Sequence, residues 1–439
     1  MNHIVSIKID DPWVCRRLIG ESPSEKKRRI PFFGLNRRVP LGAGKEETMQ
    51  IGFAGPLLPI SMSDSIVSLS IFIKRKIDER PQFLSYSKIL ESKGLTSVSK
   101  YLAATIERLP DYQALAYMTG AWYRDHIAHQ VRVAALGDFM LTQQFDFQGR
   151  KGELIDTIST LGKVTKEEVR KAWWISGLFH DVGLPLSLVD KWFGTITRDI
   201  SNAYKYLPMT QKGIPHPKIN EGELRTVFGF LINGLSRQDV STMKENMGWN
   251  SSISPDHGLL SAMTLLFSIP DISKNAHDQS QLKDLFEGEY SAALLAARAM
   301  ALHNMHGQKK TIEIDFEKHP LTYLLVLCDE MQEWGREVKV TNRSKQGFVD
   351  SQFGSVSLVE SITLDLYADR IQATAEFKNQ EAKDACGFVF DIFQSDKKEN
   401  LGRLKDHRRI FPHTCLTLKD HVMSRRTIIS TVSETISIQ

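Results

Sequence analysis

Cysteine is scarce in this sequence. The 439 residues hold four, Cys15, Cys328, Cys386 and Cys415, and no two stand in a Cys-x-x-Cys pair. That spacing supports neither a zinc knuckle nor a disulfide framework, and a reducing compartment is expected. Long hydrophobic runs are also lacking. Ala292 to Leu302, one of the longest, is broken by Arg298 and is too short to span a bilayer. The opening Met1-Asn-His-Ile-Val has no charged segment leading into an apolar one, so no secretory signal is expected. Nor does one sign of charge dominate: 56 Lys and Arg against 52 Asp and Glu leave a formal net charge of +4. This is too mild to argue for nucleic acid by itself. The exclusions leave a cytoplasmic globular protein with no membrane partner. Its hydrophobic and charged fractions, 41% and 25%, are ordinary for that class.

No internal repeat is evident, and three stretches differ in texture. Residues 1–85 read as an N-terminal extension of mixed structure. It carries basic clusters at Lys26-Lys-Arg-Arg29 and Asn36-Arg-Arg38 and a strand-like run at Ile66 to Ile73. Residues 86–340 read as helical throughout, with two polar insertions at about 192–250 and 271–290. Helices are expected over Tyr123 to Leu141, through Trp173 to Phe179, over 258–268, over 291–304, and from Pro320 onward, where proline suits a first turn. Residues 341–439 change period. Ile362, Leu364 and Leu366 alternate with polar residues, and after Ala368-Asp369 so do Ile371, Ala373 and Ala375, which predicts a hairpin. A helix over Asp384 to Phe393 and a short strand over Thr414 to Leu418 complete a small α+β appendage. The predicted fold class is mainly α.

Within the helical stretch, polar residues stand where they are costly. His129 lies in an apolar helix, with His126 at i−3 on the same face, so either can serve as a ligand; His129 is favoured, with His126 as a supporting group or substrate contact. His180-Asp181 follows the apolar run ending at Phe179, and Gly183 permits a tight backbone exit. His257 precedes a helix, His303 ends one, and Asp329 follows five apolar residues. Burying a bare imidazole or carboxylate costs free energy unless it has a partner. Histidines and aspartates together are the ligand set of borderline divalent metals. Adjacent ligands at 180 and 181 suit either one clasped ion or an aspartate bridging two.

His129-x-x-Arg132-Val133, His180-Asp181-x-Gly183 and Asp329 in Leu-Cys-Asp-Glu-Met-Gln-Glu-Trp-Gly-Arg resemble the HD-domain superfamily of metal-dependent phosphohydrolases over roughly residues 115 to 340. The resemblance implies a helical-bundle core. It implies that His129, His180, Asp181 and Asp329 hold one ion, and that His257 and His303 hold a second, as in the dinuclear branch, with Asp181 bridging. Three signatures of known branches are absent. Leu184-Pro185 stands where dinuclear phosphodiesterases carry a lysine, Asp181 is not followed by the Glu-Asp of alarmone hydrolases, and no Gly-Tyr-Pro follows the dyad. The superfamily is therefore better specified than the substrate.

The chemistry implied is hydrolysis of a phosphoester or phosphoanhydride bond in a nucleotide or cyclic (di)nucleotide by metal-activated water. The ligand set suits two Mn²⁺, Fe²⁺, Co²⁺ or Ni²⁺ ions, with Mg²⁺ less natural beside so many imidazoles. Asp181 and His306 are the catalytic candidates, His306 as proton donor to the leaving group. His126 and Arg132 are the substrate-binding candidates; Arg124, Arg298 and Arg336 lie near motifs but read as surface or structural. Two alternatives stand beside this reading: a nuclease on single-stranded nucleic acid, supported by the basic clusters at Lys26 to Arg29 and Arg403 to Arg409, and a non-hydrolytic nucleotide sensor. A homo-oligomer is compatible with either.

Overall fold

The computed structural model describes residues 3–10, 86–109, 126–147, 150–185, 256–269, 289–304, 314–332, 337–339, 355–357, 362–367, 370–377, 413–420 and 425–430, with single positions between them. The fold is mainly α. Its helices are α1 (Tyr86–Ser92), α2 (Thr96–Tyr101), α3 (Ile127–Leu141), α4 (Leu154–Gly162), α5 (Lys166–Phe179), α6 (His257–Ser268), α7 (Glu289–His303) and α8 (Pro320–Met331). The strands are β1 (His3–Ile9), β2 (Gln144–Phe147), β3 (Arg150–Glu153), β4 (Glu337–Lys339), β5 (Ser355–Ser357), β6 (Ile362–Tyr367), β7 (Arg370–Phe377), β8 (His413–Asp420) and β9 (Arg425–Ser430).

Helix α3 sits at the centre. Every residue from Ala128 to Leu141 is buried, as expected of a helix packed on all sides. Helix α5 lies across it, and Gly177 makes the crossing close: a Cβ there would fall 2.7 Å from the Cα of Ala134. Helix α7, rich in alanine, packs on α5, and α6 and α8 pack on α7. Helix α5 begins at the surface with a capping box, in which the Thr165 side chain accepts from the Glu168 N–H and Glu168 accepts from the Thr165 N–H. It then buries every residue from Ala172 to Phe179. The apolar sequence after Lys171 thus carries the end of α5, and the His180-Asp181 pair behind it, into the interior.

A five-stranded sheet, in the order β1-β6-β7-β8-β9, joins the bundle. The predicted hairpin is present as β6 and β7, with Leu364 opposite Ala373 and Leu366 opposite Ile371. Ile362, Leu364, Leu366, Ile371 and Ala373 are buried while Thr363 is exposed, as the alternation requires. The strand expected at Thr414 to Leu418 is part of β8, which runs parallel to β7. Strand β1 pairs antiparallel with β6, Ile9 opposite Ile362, so the sheet draws strands from both ends of the chain. Behind β1, Trp13 meets Phe139 edge-on at 5.5 Å, and the Arg17 guanidinium donates to the Asp138 carboxylate at 3.0 Å and to its main-chain oxygen at 2.9 Å.

Within the 86–340 stretch read as helical, strands stand at 144–153 and at Glu337–Lys339, the latter paired with Ser355–Ser357. Gln144-Phe-Asp-Phe147 pairs with Arg150–Glu153 as a hairpin, with Phe145 buried. Its alternation of aromatic and polar residues is a strand signal, but four residues are too few to stand out beside long helices. The strand expected at Ile66 to Ile73, the helix at Asp384 to Phe393, the basic clusters and nearly all of both insertions lie outside the described residues. Among the described residues, no helix is long and apolar enough to cross a membrane.

Candidate metal centre

Five elements deliver the polar side chains to one point. His126 caps the start of α3 and His129 follows one turn later. His180 and Asp181 lie in the turn that ends α5, where the His180 N–H still bonds to the Ser176 carbonyl. His257 opens α6, His303 closes α7, and Asp329 stands in the last turn of α8. Asp256 caps α6: its Oδ1 accepts from the N–H groups of Gly258 and Leu259 at 2.9 and 3.4 Å. The start of α6 is stitched to the His-Asp turn through Ser261, whose Oγ accepts from the Gly183 N–H and donates to the His257 carbonyl, both at 2.8 Å.

Gly183 has another purpose than the one expected of it. Among the described residues the positive-φ glycine is Gly94, not Gly183. The need at 183 is space: a Cβ would stand 2.5 Å from the His257 carbonyl oxygen and 2.6 Å from the Leu260 Cβ. Gly258 is similar, since a Cβ there would fall 2.8 Å from the His303 ring.

Asp181 is the centre of the arrangement, and its two oxygens face different partners. Oδ1 lies 3.2 Å from Nε2 of His257 and 3.7 Å from Nε2 of His303. Oδ2 lies 3.1 Å from Nδ1 of His126, 3.6 Å from Nε2 of His180 and 3.9 Å from Nε2 of His129. Asp329 closes the second of these groups, with Oδ1 2.7 Å from Nε2 of His129 and 3.7 Å from Nε2 of His180. The ligand atoms of His129, His180 and Asp329 all lie within 4.8 Å of one another, as do those of His180, Asp181 and His303. Two donors that each approach an ion to about 2.0–2.2 Å at right angles stand about 3 Å apart. The observed spacings are therefore those of donors sharing a coordination sphere.

The far nitrogens of three rings are committed as donors. Nδ1 of His180 donates to the Gly177 carbonyl at 3.0 Å, Nδ1 of His303 to the Met300 carbonyl at 2.6 Å, and Nδ1 of His129 to the side-chain oxygen of Gln332. Each bond turns Nε2 toward the carboxylates, as ligating histidines require. Nε2 of His180, with no exposed surface, has no hydrogen-bond partner. An orphaned polar atom 3.6 and 3.7 Å from two carboxylates is a place where a cation could sit.

The charges agree. Burial alone would raise the carboxyl of Asp181, but His180 and the ring N–H groups of His126, His257 and His303 outweigh it and hold the group well below the usual carboxylate range. Asp329 is held low in the same way by His129 and His180 against its own burial. Burial would lower the pKa of His180, yet Asp181 and Asp329 push it up to about 9.

The structure brings the six predicted ligands, His129, His180, Asp181, His257, His303 and Asp329, to one place; the groups His129, His180, Asp329 and His180, Asp181, His303 could hold a metal ion, and His257 reaches the cluster through Asp181 from a partly exposed position. Of the two histidines left open on α3, His129 joins the ligand group and His126 bonds to Asp181 from a partly exposed position. Arg132 has no exposed surface as α3 packs here. His306, Arg124 and Arg336 lie outside the described residues. Sequence reasoning missed Gln332, Asn304 and Asp256. Asp256 carried a legible signal as a helix cap before His257; Gln332 and Asn304 are ordinary amides whose roles depend on contacts between distant segments.

No family model, no curated protein and no solved structure matches this chain.

Proposed function

We propose that the chain is a metal-dependent phosphohydrolase of the HD-domain type that cleaves a phosphoester or phosphoanhydride bond of a nucleotide or cyclic (di)nucleotide. One observation carries the reading: a buried aspartate, Asp181, divides its two oxygens between two sets of imidazoles. That division suits a carboxylate bridging two ions.

His129, His180, Asp181 and Asp329 would hold the first ion, and His257 and His303, with Asp181, the second. Mn²⁺, Fe²⁺, Co²⁺ and Ni²⁺ suit the donor set, with Mg²⁺ less favoured. Such a pair supplies a water acidic enough to attack near neutral pH and positive charge for the phosphate oxygens. The chain's residues do the rest. Asp181 and the ring tethers fix the ligands in place before substrate arrives, so little reorganisation is left for the reaction. His126, partly exposed and bonded to Asp181, is the proposed substrate contact. His306, three residues beyond His303, is the proposed proton donor to the leaving group. The nuclease alternative rests on basic clusters outside the described residues, and no observed contact favours it.

The test is a panel of nucleoside mono-, di- and triphosphates, cyclic nucleotides and dinucleotides incubated with the purified chain and Mn²⁺. Product should form only with added metal and should vanish in Asp181→Ala. Tight binding of metal and nucleotide with no turnover across the panel would replace the hydrolase reading with the sensor.

A further inference from the structure

Four imidazoles face the carboxylates through Nε2, and three have Nδ1 committed as a donor, to the Gly177 carbonyl, the Met300 carbonyl and the Gln332 side chain. His257 differs. Its Nδ1 lies 2.9 Å from Nδ2 of Asn304, and that same amide nitrogen lies 3.0 Å from Oδ2 of Asp256. The orientation of an amide is fixed by its neighbours, and here the neighbour is a carboxylate. Only the NH₂ end can sit 3.0 Å from a carboxylate oxygen, because a carbonyl oxygen there would be repelled. The amide therefore donates to both groups. A ring nitrogen that accepts carries no proton, so the proton of neutral His257 resides on Nε2, directed at Oδ1 of Asp181 3.2 Å away. A continuous chain results: Asp256, the Asn304 amide, the His257 ring, Asp181.

We propose that Asn304 makes the two halves of the pocket unequal: it holds His257 in the tautomer that offers an N–H rather than a lone pair to the pocket, and so sets the affinity of the second ion below that of the first. The proposal rests on the dinuclear reading above. Ligation at Nε2 requires the proton there to leave and Nδ1 to gain one, with no change in the ring's proton count. Nδ1–H then needs an acceptor, and the Asn304 amide presents a donor instead. The amide cannot turn over while Asp256 faces it. The first ion, held by rings whose Nδ1 protons are already in place, meets no such obstacle. Asn304 is on this account a positioning residue that acts through His257. Binding becomes ordered, and the second ion is the exchangeable one.

Two variants release the constraint by different routes. Asn304→Ala removes the donor and frees Asp256 to accept from Nδ1–H. Asp256→Asn keeps a good helix cap and lets the Asn304 amide turn its oxygen to the ring. Calorimetric titration of the metal-free full-length chain with Mn²⁺ should show a tight and a weaker class of site. Each variant should strengthen the weaker class about three- to tenfold, the worth of one neutral hydrogen bond, and leave the tight class unchanged. Where the wild-type chain takes up one ion only, the variants should reveal a second. A weaker class that is unchanged or weakened in both folded variants overturns the proposal, because that is what a purely structural tether would give. A wild-type chain that binds no Mn²⁺ would instead defeat the metal reading. The tautomer can still be decided separately by ¹⁵N NMR of histidine-labelled metal-free protein, with the His257 signal identified by its absence from His257→Gln. An unprotonated Nδ1 is expected; a protonated one overturns the inference whatever the metal does.

Discussion

Gln332 grips His129 by its far ring nitrogen. Its side-chain Nε2 donates to the Trp334 carbonyl at 2.7 Å, which leaves its oxygen no option but to face Nδ1 of His129. The ring is thereby turned with Nε2 toward Asp329, 2.7 Å away. Gln332 has no exposed surface and lies three residues beyond the aspartate it serves. Gln332→Leu should leave a buried N–H without its acceptor, costing about 1–3 kcal/mol, and let the ring turn. Outer partners of metal ligands are worth about 10–100-fold in affinity. Mn²⁺ titration should show a loss of that size at the tighter site, with Gln332→Glu retaining most of the binding. Unchanged affinity in Gln332→Leu would show that the ring is held by something else.

Gly183 is required for room. In Gly183→Ala the new methyl meets the His257 carbonyl, the Leu260 side chain and the Ser261 N–H, all backbone or short side chain. Relief requires moving the start of α6, and with it His257. Overpacking of this kind costs about 1–3 kcal/mol. Urea unfolding should show it, and the metal count should fall toward one ion per chain. A variant with full stability and full metal content would contradict the close packing of α6 on the His-Asp turn.

The pH dependence has a definite sign. The folded-state pKa of His180 is raised from 6.5 to about 9, so its stabilising contribution is complete below about pH 6.5 and is lost as pH rises through 9. The pKa values of Asp181 and Asp329 are depressed, so theirs is present above about pH 4 and is lost as pH falls further. Without metal, the chain should therefore lose stability between about pH 6.5 and 9 as His180 gives up the proton that stands in for a cation. Metal affinity should move the other way, since a divalent ion must displace that proton. Melting curves in chelator and Mn²⁺ titrations across this range should show the two trends crossing. A metal affinity that is flat from about pH 6.5 to 8.5 would mean that His180 carries no proton to displace.

The contact between the N-terminal segment and the bundle can be separated from the site. Arg17 and Asp138 are both largely shielded, at 27% and 10% side-chain exposure, so their charge-assisted bonds should be worth about 1–2 kcal/mol. Asp138 lies nine residues along α3 from His129, or about 13 Å at the rise of an α-helix. Arg17→Ala should lower stability to urea by about that amount while Mn²⁺ affinity stays unchanged. A change in metal affinity would show that the two ends of α3 are coupled.

What could be read in the sequence was local. The β6–β7 hairpin shows as strict alternation, and the helix carrying Asp329 shows as Pro320 at the first turn followed by the apolar run Leu324 to Cys328. The six candidate ligands stood out because each is a polar residue in or beside apolar text, and physics asks such residues for partners. What could not be read depends on distant pairings. Strand β1 finds its place on β6 some three hundred and fifty residues later, and nothing within His3–Ile9 names that partner. The Gln332 and Asn304 amides look like any others until the fold sets a ring beside each. Gly183 looked like a turn residue, whereas the approach of α6, seventy-odd residues on, is what excludes a side chain there.

Metal content bears on the central claim most directly. The full-length chain should be stripped with chelator, loaded with excess Mn²⁺, freed of unbound ion by gel filtration under weakly buffered Mn²⁺, and analysed for metal per folded chain. Two ions per chain are expected in the wild type and a near-complete loss in Asp181→Ala, because that carboxylate faces both sets of imidazoles. A folded wild-type chain that emerges without bound metal would contradict the claim.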